Sequence, residues 1–266
     1  MPRSLSAGLL ALAVVLGACS GDAQTTAAVS GSSSGGTSAP MATGSLTVFA
    51  AASLTESFNE EKPVLEGANP GLTVTYSFAG SGTLVTQVTQ GAPADVIATA
   101  DTASMQRLVD ASLVEVPTTF AQNQLEMLVA PGNPKGIKGL ADLARTDILY
   151  VAEDETVPAG KYAAQALLAA GISPRPVSKE ADVKAAVAKV TSGEADVTVV
   201  YRTDVTAAGS KGQGVPIPDA QNVVATYPVA IVKATTNRTA AVTFVDAIVS
   251  GSGQDALKNH GFLPPS

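Results

Sequence analysis

From residue 45 to the C-terminus, short apolar runs alternate with helix-patterned segments, and this alternation restricts the fold more than any other feature of the chain. Residues 46–50, 72–78, 95–99, 124–129, 148–151, 196–201 and a stretch within 223–232 carry the apolar, β-branched pattern of strands. Between them, 53–66, 83–90, 102–111, 140–145, 158–170, 182–191, 240–250 and 253–259 read as helices. Gly91 closes the helix before it, while Pro158 opens and Gly171 follows the Ala-rich helix, the usual asymmetry of helix ends. Strands separated by helices of this length build α/β layers, with helices covering mostly parallel sheets. There is no internal repeat.

The first 44 residues obey different physics. Arg3 supplies a positive start, and an apolar run from Leu5 to Leu16 follows. That run is shorter than the ~20 apolar residues needed to span a bilayer, so residues 1–18 read as a secretory signal peptide. It ends Leu16-Gly17-Ala18-Cys19, and Cys19 is the only cysteine in the chain, which rules out an intramolecular disulfide. The segment 19–44 is almost entirely Ser, Gly, Thr and Ala. It has too little apolar surface to offset its ordering entropy and reads as a flexible tether, with a mean reach of ~25–30 Å.

Charge excludes some partners. The formal net charge is −7, and one unit lower once Arg3 leaves with the leader. Nucleic acid and anionic lipid surfaces are therefore disfavoured, and any anion site must rest on local donors. The strand-to-helix junctions offer such donors. Ser53 follows Ala50-Ala51-Ala52, and Ser53 to Glu56 has the capping-box spacing. Ser81 sits between Gly80 and Gly82, and Val157-Pro158-Ala159-Gly160 opens the helix containing Tyr162. Small residues allow close approach to the backbone, and helix N-termini present unpaired N–H groups with about half a positive charge. Asp95 and Asp101 read as a strand-end and a helix-capping residue. Catalysis has little support: His260 is the only histidine, and no G-x-S-x-G elbow surrounds either serine, so a secreted hydrolase is the weaker alternative.

Taken in order, the segments resemble the molybdate-binding proteins of ABC importers. Residues Val48-Phe49-Ala50-Ala51-Ala52-Ser53-Leu54-Thr55 are similar to the first motif of that family. Phe78-Ala79-Gly80-Ser81-Gly82-Thr83-Leu84, with Gly91-Ala92-Pro93-Ala94-Asp95, is similar to the second. Val157-Pro158-Ala159-Gly160-Lys161-Tyr162-Ala163, then Asp182-Val183-Lys184-Ala185-Ala186, Val199-Val200-Tyr201, Tyr227-Pro228-Val229-Ala230 and Gly261-Phe262, complete the set. Leu16 to Cys19 likewise resembles the bacterial lipobox, which implies cleavage before Cys19 and lipidation of its sulfur.

The resemblance implies an α/β, two-lobed periplasmic-binding-protein fold of the type II kind. Each lobe would be a mixed, mostly parallel sheet flanked by helices, with a ligand cleft between them. Residues 45–124 and 228–266 would form a discontinuous first lobe, and 125–227 the second with its hinge strands. Crossings are expected near 124–129 and 225–231. The implied ligand is molybdate or tungstate, with molybdenum present only as the bound oxyanion and no cofactor. Ser53 and Ser81 would donate from one lobe. Ala159 and Val183 would give backbone N–H groups from the other, and Tyr201 its phenolic hydroxyl. The implied partners are a membrane permease and its ATPase, and the implied place is outside the cytoplasm, lipid-anchored to the bacterial cell membrane through Cys19, as a monomer. Sulfate, phosphate or a small organic anion is the alternative ligand. Two departures from the family pattern stand out. Gly80 and Gly82 flank Ser81 and are expected to loosen its loop, and Arg202 after Tyr201 is expected to bring positive charge near the cleft rim.

Overall fold

The computed structural model describes residues 41–265; the leader, Cys19 and the tether up to residue 40 lie outside the described residues. The described chain begins β1 (Gly44–Ala51), α1 (Thr55–Ala68), β2 (Leu72–Ala79), α2 (Ser81–Thr89), β3 (Val96–Ala98) and α3 (Thr102–Asp110). It continues with β4 (Thr118–Val129), β5 (Tyr150–Glu153), α4 (Pro158–Ala169), β6 (Ser178–Glu180), α5 (Val183–Thr191) and β7 (Val197–Tyr201). It closes with α6 (Arg202–Ala208), β8 (Gln213–Pro216), β9 (Val224–Ile231), α7 (Arg238–Ser250) and α8 (Gly253–Asn259). Packed structure begins slightly before residue 45: Ala42 is buried, and its N–H is bonded to Asn69 Oδ1 at 3.3 Å.

The strands run in the order β2-β1-β3-β9-β4-β7-β5-β6, with β8 on β4. β1 is parallel to β2 and β3, and β5 is parallel to β6 and β7. Among the described strands, every antiparallel pairing involves β4 or β9. β4 changes partner midway: Thr118 to Gln124 pair with β9, and Leu125 to Val129 pair with β7. This one strand therefore belongs to both halves of a two-lobed molecule. The chain returns at 222–224, because β9 pairs with the first half of β4 from Val224 to Val229. Asn222 pins that place, accepting from Leu125 N–H at 3.0 Å and donating to Leu125 O at 2.9 Å.

Helix ends follow local chemistry. Asp101 caps α3 by accepting from Ser104 N–H at 2.8 Å, and Asp182 caps α5 by accepting from Lys184 and Ala185 N–H. Asp95 accepts from Thr47 N–H at 2.7 Å and from Thr235 Oγ1 at 2.6 Å, tying β3 to its neighbours. Gly91 and Gly171 take positive φ, as helix-terminating residues do. Several elements differ from the sequence reading. Residues 140–144 form a 3₁₀ turn, and the strand expected at 148–151 occupies 150–153. β6, β8 and α6 are additional. α6 starts immediately after β7 with no turn residues between, so no punctuation in the sequence marks it.

A run of aromatic rings ties the first half to the crossing strands. Phe58 packs edge-on to Phe244 at 5.5 Å, Phe120 meets Tyr227 at 6.3 Å, and Tyr227 meets Phe262 at 5.3 Å and Tyr201 at 5.8 Å. Each such buried ring contributes ~1.5–3 kcal/mol by area. No helix among the described residues is long and apolar enough to cross a membrane.

Candidate functional site

A cavity of about 20 Å³ lies where the two halves meet, and Ser53, Ser81, Ala159, Val183 and Tyr201 all line it. The five candidate positions thus converge, although they span about 150 residues of sequence. No lysine or arginine lines the cavity; its polar groups are hydroxyls, backbone N–H groups and the carboxyls of Glu153 and Asp182.

Each donor is placed by its element. Ser53 lies in a 3₁₀ turn, Ala52–Leu54, between β1 and α1. Its hydroxyl does not cap α1, contrary to the capping-box spacing; Leu54 is the cap position and makes no side-chain bond. The intervening 3₁₀ turn shifts the helix start past Ser53, and Ser53 Oγ instead meets Tyr227 Oη at 2.9 Å. Tyr227 is itself 3.5 Å from Asn123 Nδ2, which also donates to Thr203 Oγ1 at 2.9 Å. Ser81 is the first residue of α2, after Gly80, and its Oγ accepts from Ala100 N–H at 3.0 Å. That bond uses a lone pair and leaves the Ser81 O–H free to donate.

Ala159 and Val183 stand in the first turns of α4 and α5, where N–H groups have no intrahelical acceptor. Pro158 has no N–H, so Ala159 supplies the first donor of the α4 turn beyond the proline. Asp182 occupies the next two N–H groups of α5, from Lys184 and Ala185, and leaves that of Val183. Tyr201 ends β7 and is buried, and its hydroxyl has no hydrogen-bond partner of good geometry among the described residues. Burial, with Tyr227 and Glu153 nearby, pushes its phenol well above the ordinary value, so Tyr201 remains an O–H donor.

The two glycines act differently from expectation. A Cβ on Gly80 would lie 2.8 Å from the Ala181 carbonyl oxygen and 2.9 Å from Val157 Cγ1, and one on Gly82 would lie 3.2 Å from the Thr156 carbonyl oxygen. Their role is clearance for the loops of the second half rather than looseness of the Ser81 loop. Arg202 is exposed and absent from the cavity wall; the carboxyl it acts on is Glu126 of β4.

Sequence reasoning missed Glu153, Tyr227 and Asn123. Tyr227 lay within a recognised motif, but its bond to Ser53 links residues 174 apart, which no local pattern encodes. Glu153 falls between the expected strand at 148–151 and the helix from 158, a stretch the sequence assigns to no element.

Two ion pairs, Lys184–Glu56 and Lys161–Asp101, bridge the halves beside the cavity. Lys184 Nζ of α5 lies 2.7 Å from Glu56 Oε2 of α1 and 3.0 Å from Asp204 Oδ1 of α6. Lys161 Nζ of α4 lies 3.6 Å from Asp101 Oδ2.

Comparison with known proteins identifies relatives of this chain. Residues 46–263 match the family described as bacterial extracellular solute-binding proteins. A molybdate-binding protein of Mycobacterium tuberculosis is 40% identical over 222 residues, 83% of this chain and 85% of that protein. The periplasmic molybdate-binding protein of Azotobacter vinelandii superposes with a TM-score of 0.72 at 22% identity, covering 83% of this chain and 100% of that one. The sulfate-binding protein of Mycobacterium tuberculosis superposes with a TM-score of 0.71 at 22% identity, covering 83% of this chain and 86% of that one. The two structural likenesses speak for the two-lobed fold alone.

Proposed function

This chain belongs to the family of bacterial extracellular solute-binding proteins, and from that premise we propose that it captures molybdate outside the cytoplasm and hands it to an ABC importer. One observation carries the choice of ligand class: three hydroxyls and two helix N-termini converge on one small cavity that no cationic side chain lines. Molybdate at neutral pH is a fully deprotonated tetrahedral dianion that accepts hydrogen bonds and donates none. Ser53, Ser81 and Tyr201 give O–H groups, and Ala159 and Val183 give N–H groups; each charge-assisted bond contributes ~1.5–3 kcal/mol. The helix termini add a fixed positive potential without a titratable counter-ion. Tungstate has the same charge and nearly the same size, so these donors accept it equally.

Capture works through closure. The halves are joined at β4, where Gln124 gives way to Leu125, and at 222–224, and these two places form the hinge. Ligand bridging Ser53 and Ser81 on one side to α4 and α5 on the other favours the closed form, which a membrane permease with its ATPase then recognises.

Calorimetry on the full chain with molybdate, tungstate, sulfate and phosphate tests this. Molybdate and tungstate should bind tightly and the other two weakly, and Ser81→Ala should weaken molybdate binding about tenfold or more. Preferential sulfate or phosphate binding would keep the fold and overturn the ligand. Silence from all four would remove the site.

A further inference from the structure

Glu153 is the cavity group that a set of neutral donors leaves unexplained. It ends β5, it is 3% exposed, and it lines the cavity together with Ser53, Ser81 and Tyr201. Its Oε1 is buried and has no hydrogen-bond partner among the described residues. The charged groups acting on it are Asp204 from α6 and Asp182 at the start of α5, both acidic. The phenols of Tyr150 and Tyr201 also face it. Lys184, the nearest cation on α5, is held by Asp204 and Glu56, while Lys179 and Glu155 line a second cavity whose wall Glu153 also shares.

An ionised carboxylate here would be buried, unpaired, beside two other acids and next to a bound dianion. Every one of these conditions disfavours negative charge. The neutral acid has the opposite character: it carries one O–H donor and removes the repulsion. Burial first, then Asp204 and Asp182, pushes this carboxyl well above the usual carboxylate range.

We propose that Glu153 is a neutral carboxylic acid in the loaded protein and donates its proton in a hydrogen bond to the bound oxyanion, as a sixth donor beside Ser53, Ser81, Tyr201, Ala159 and Val183. This rests on the oxyanion reading above and deepens it. Oxyanion affinity is then linked to a proton on the protein. It is level while Glu153 is protonated in the free protein, and declines as pH rises through the free-protein titration of that group, since the ionised form must regain a proton to bind. Asp182 takes no such part, because its carboxylate already accepts two backbone N–H bonds.

The test uses the full chain, wild type and the variants Glu153→Gln and Glu153→Ala, with molybdate as the probe. Infrared difference spectra with and without molybdate should show a protonated-carboxyl C=O band that shifts on binding and is missing in Glu153→Gln. Calorimetry across neutral to alkaline pH should show the wild-type affinity falling at the alkaline end. Glu153→Gln, whose amide still donates, should bind within a few-fold of wild type with a flat profile in that range. Glu153→Ala should lose about tenfold to a hundredfold. Tight molybdate binding with no such band, or an unweakened Glu153→Ala, overturns the inference and leaves the oxyanion reading standing. A wild-type chain that binds no oxyanion overturns both.

Discussion

At the residue scale, the Asp204 carboxyl shows how one buried charge depends on its neighbour. Its side chain is fully buried, and burial pushes its pKa up to about 6 from 3.8 against the opposing pull of Lys184. Burial alone would lower Lys184, but Asp204 and Glu56 hold it above its ordinary value. The folded pKa of Asp204 is raised, so its contribution to stability is most favourable below about 3.8 and declines as pH rises through about 6. Lys184→Met removes the counter-charge and should destabilise the protein by about 3 kcal/mol, the low end for a broken buried pair because the lysine is 30% exposed. The deficit should be larger at about pH 8 than at about pH 5, where Asp204 takes up a proton. Denaturant unfolding at both pH values measures it; an equal deficit at both would show that Asp204 is not the group left exposed to the loss. None of this was legible beforehand, because Glu56, Lys184 and Asp204 stand on three helices with no common motif.

At the element scale, the junctions matter more than the helices they open. The start of α2 must place Ser81 in the cavity and also let the second half approach, and glycine at 80 meets both demands. Gly80→Ala puts a methyl against the Ala181 carbonyl, a backbone atom that cannot swing aside. Overpacking of this kind costs about 1–3 kcal/mol, and we propose that it falls on the closed form alone. Molybdate affinity should drop about tenfold, with thermal unfolding of the ligand-free chain little changed. Small-angle scattering separates closure from general damage: the wild type should become more compact on adding molybdate, and the variant should do so less. Equal compaction and equal affinity would sink the clearance argument. The sequence reading found the right junction and gave its glycines the wrong role, because the atoms that demand them come from residues about 75–100 positions later.

At the scale of the whole molecule, we propose that the N-terminal segment sets where capture takes place. A tether of Ser, Gly, Thr and Ala between Cys19 and the body would let it open and close while staying within ~25–30 Å of a membrane permease. We propose that Cys19 is lipidated and anchors the chain in this way. Globomycin, which blocks cleavage of lipoprotein leaders, should then cause the longer precursor to accumulate in expressing cells, as read by immunoblot. Unchanged processing would detach the body from the membrane in this account and leave its ligand chemistry intact.

The five cavity positions came from the resemblance to a family; the α/β class, the order of most elements and the cap at Asp101 were determined by the sequence itself. Those depend on local periodicity and on short-range bonding between neighbours in the chain, which the residues carry with them. The tertiary structure alone decided that β4 serves both halves, that Ser53 bonds Tyr227 instead of capping a helix, and that Arg202 does not line the cavity. It also decided that Glu153 is buried among acids. Each of these depends on which distant segment ends up adjacent, and on how much water that neighbour displaces. A carboxyl's protonation and a glycine's necessity are set by that surrounding, which no single stretch of the chain contains.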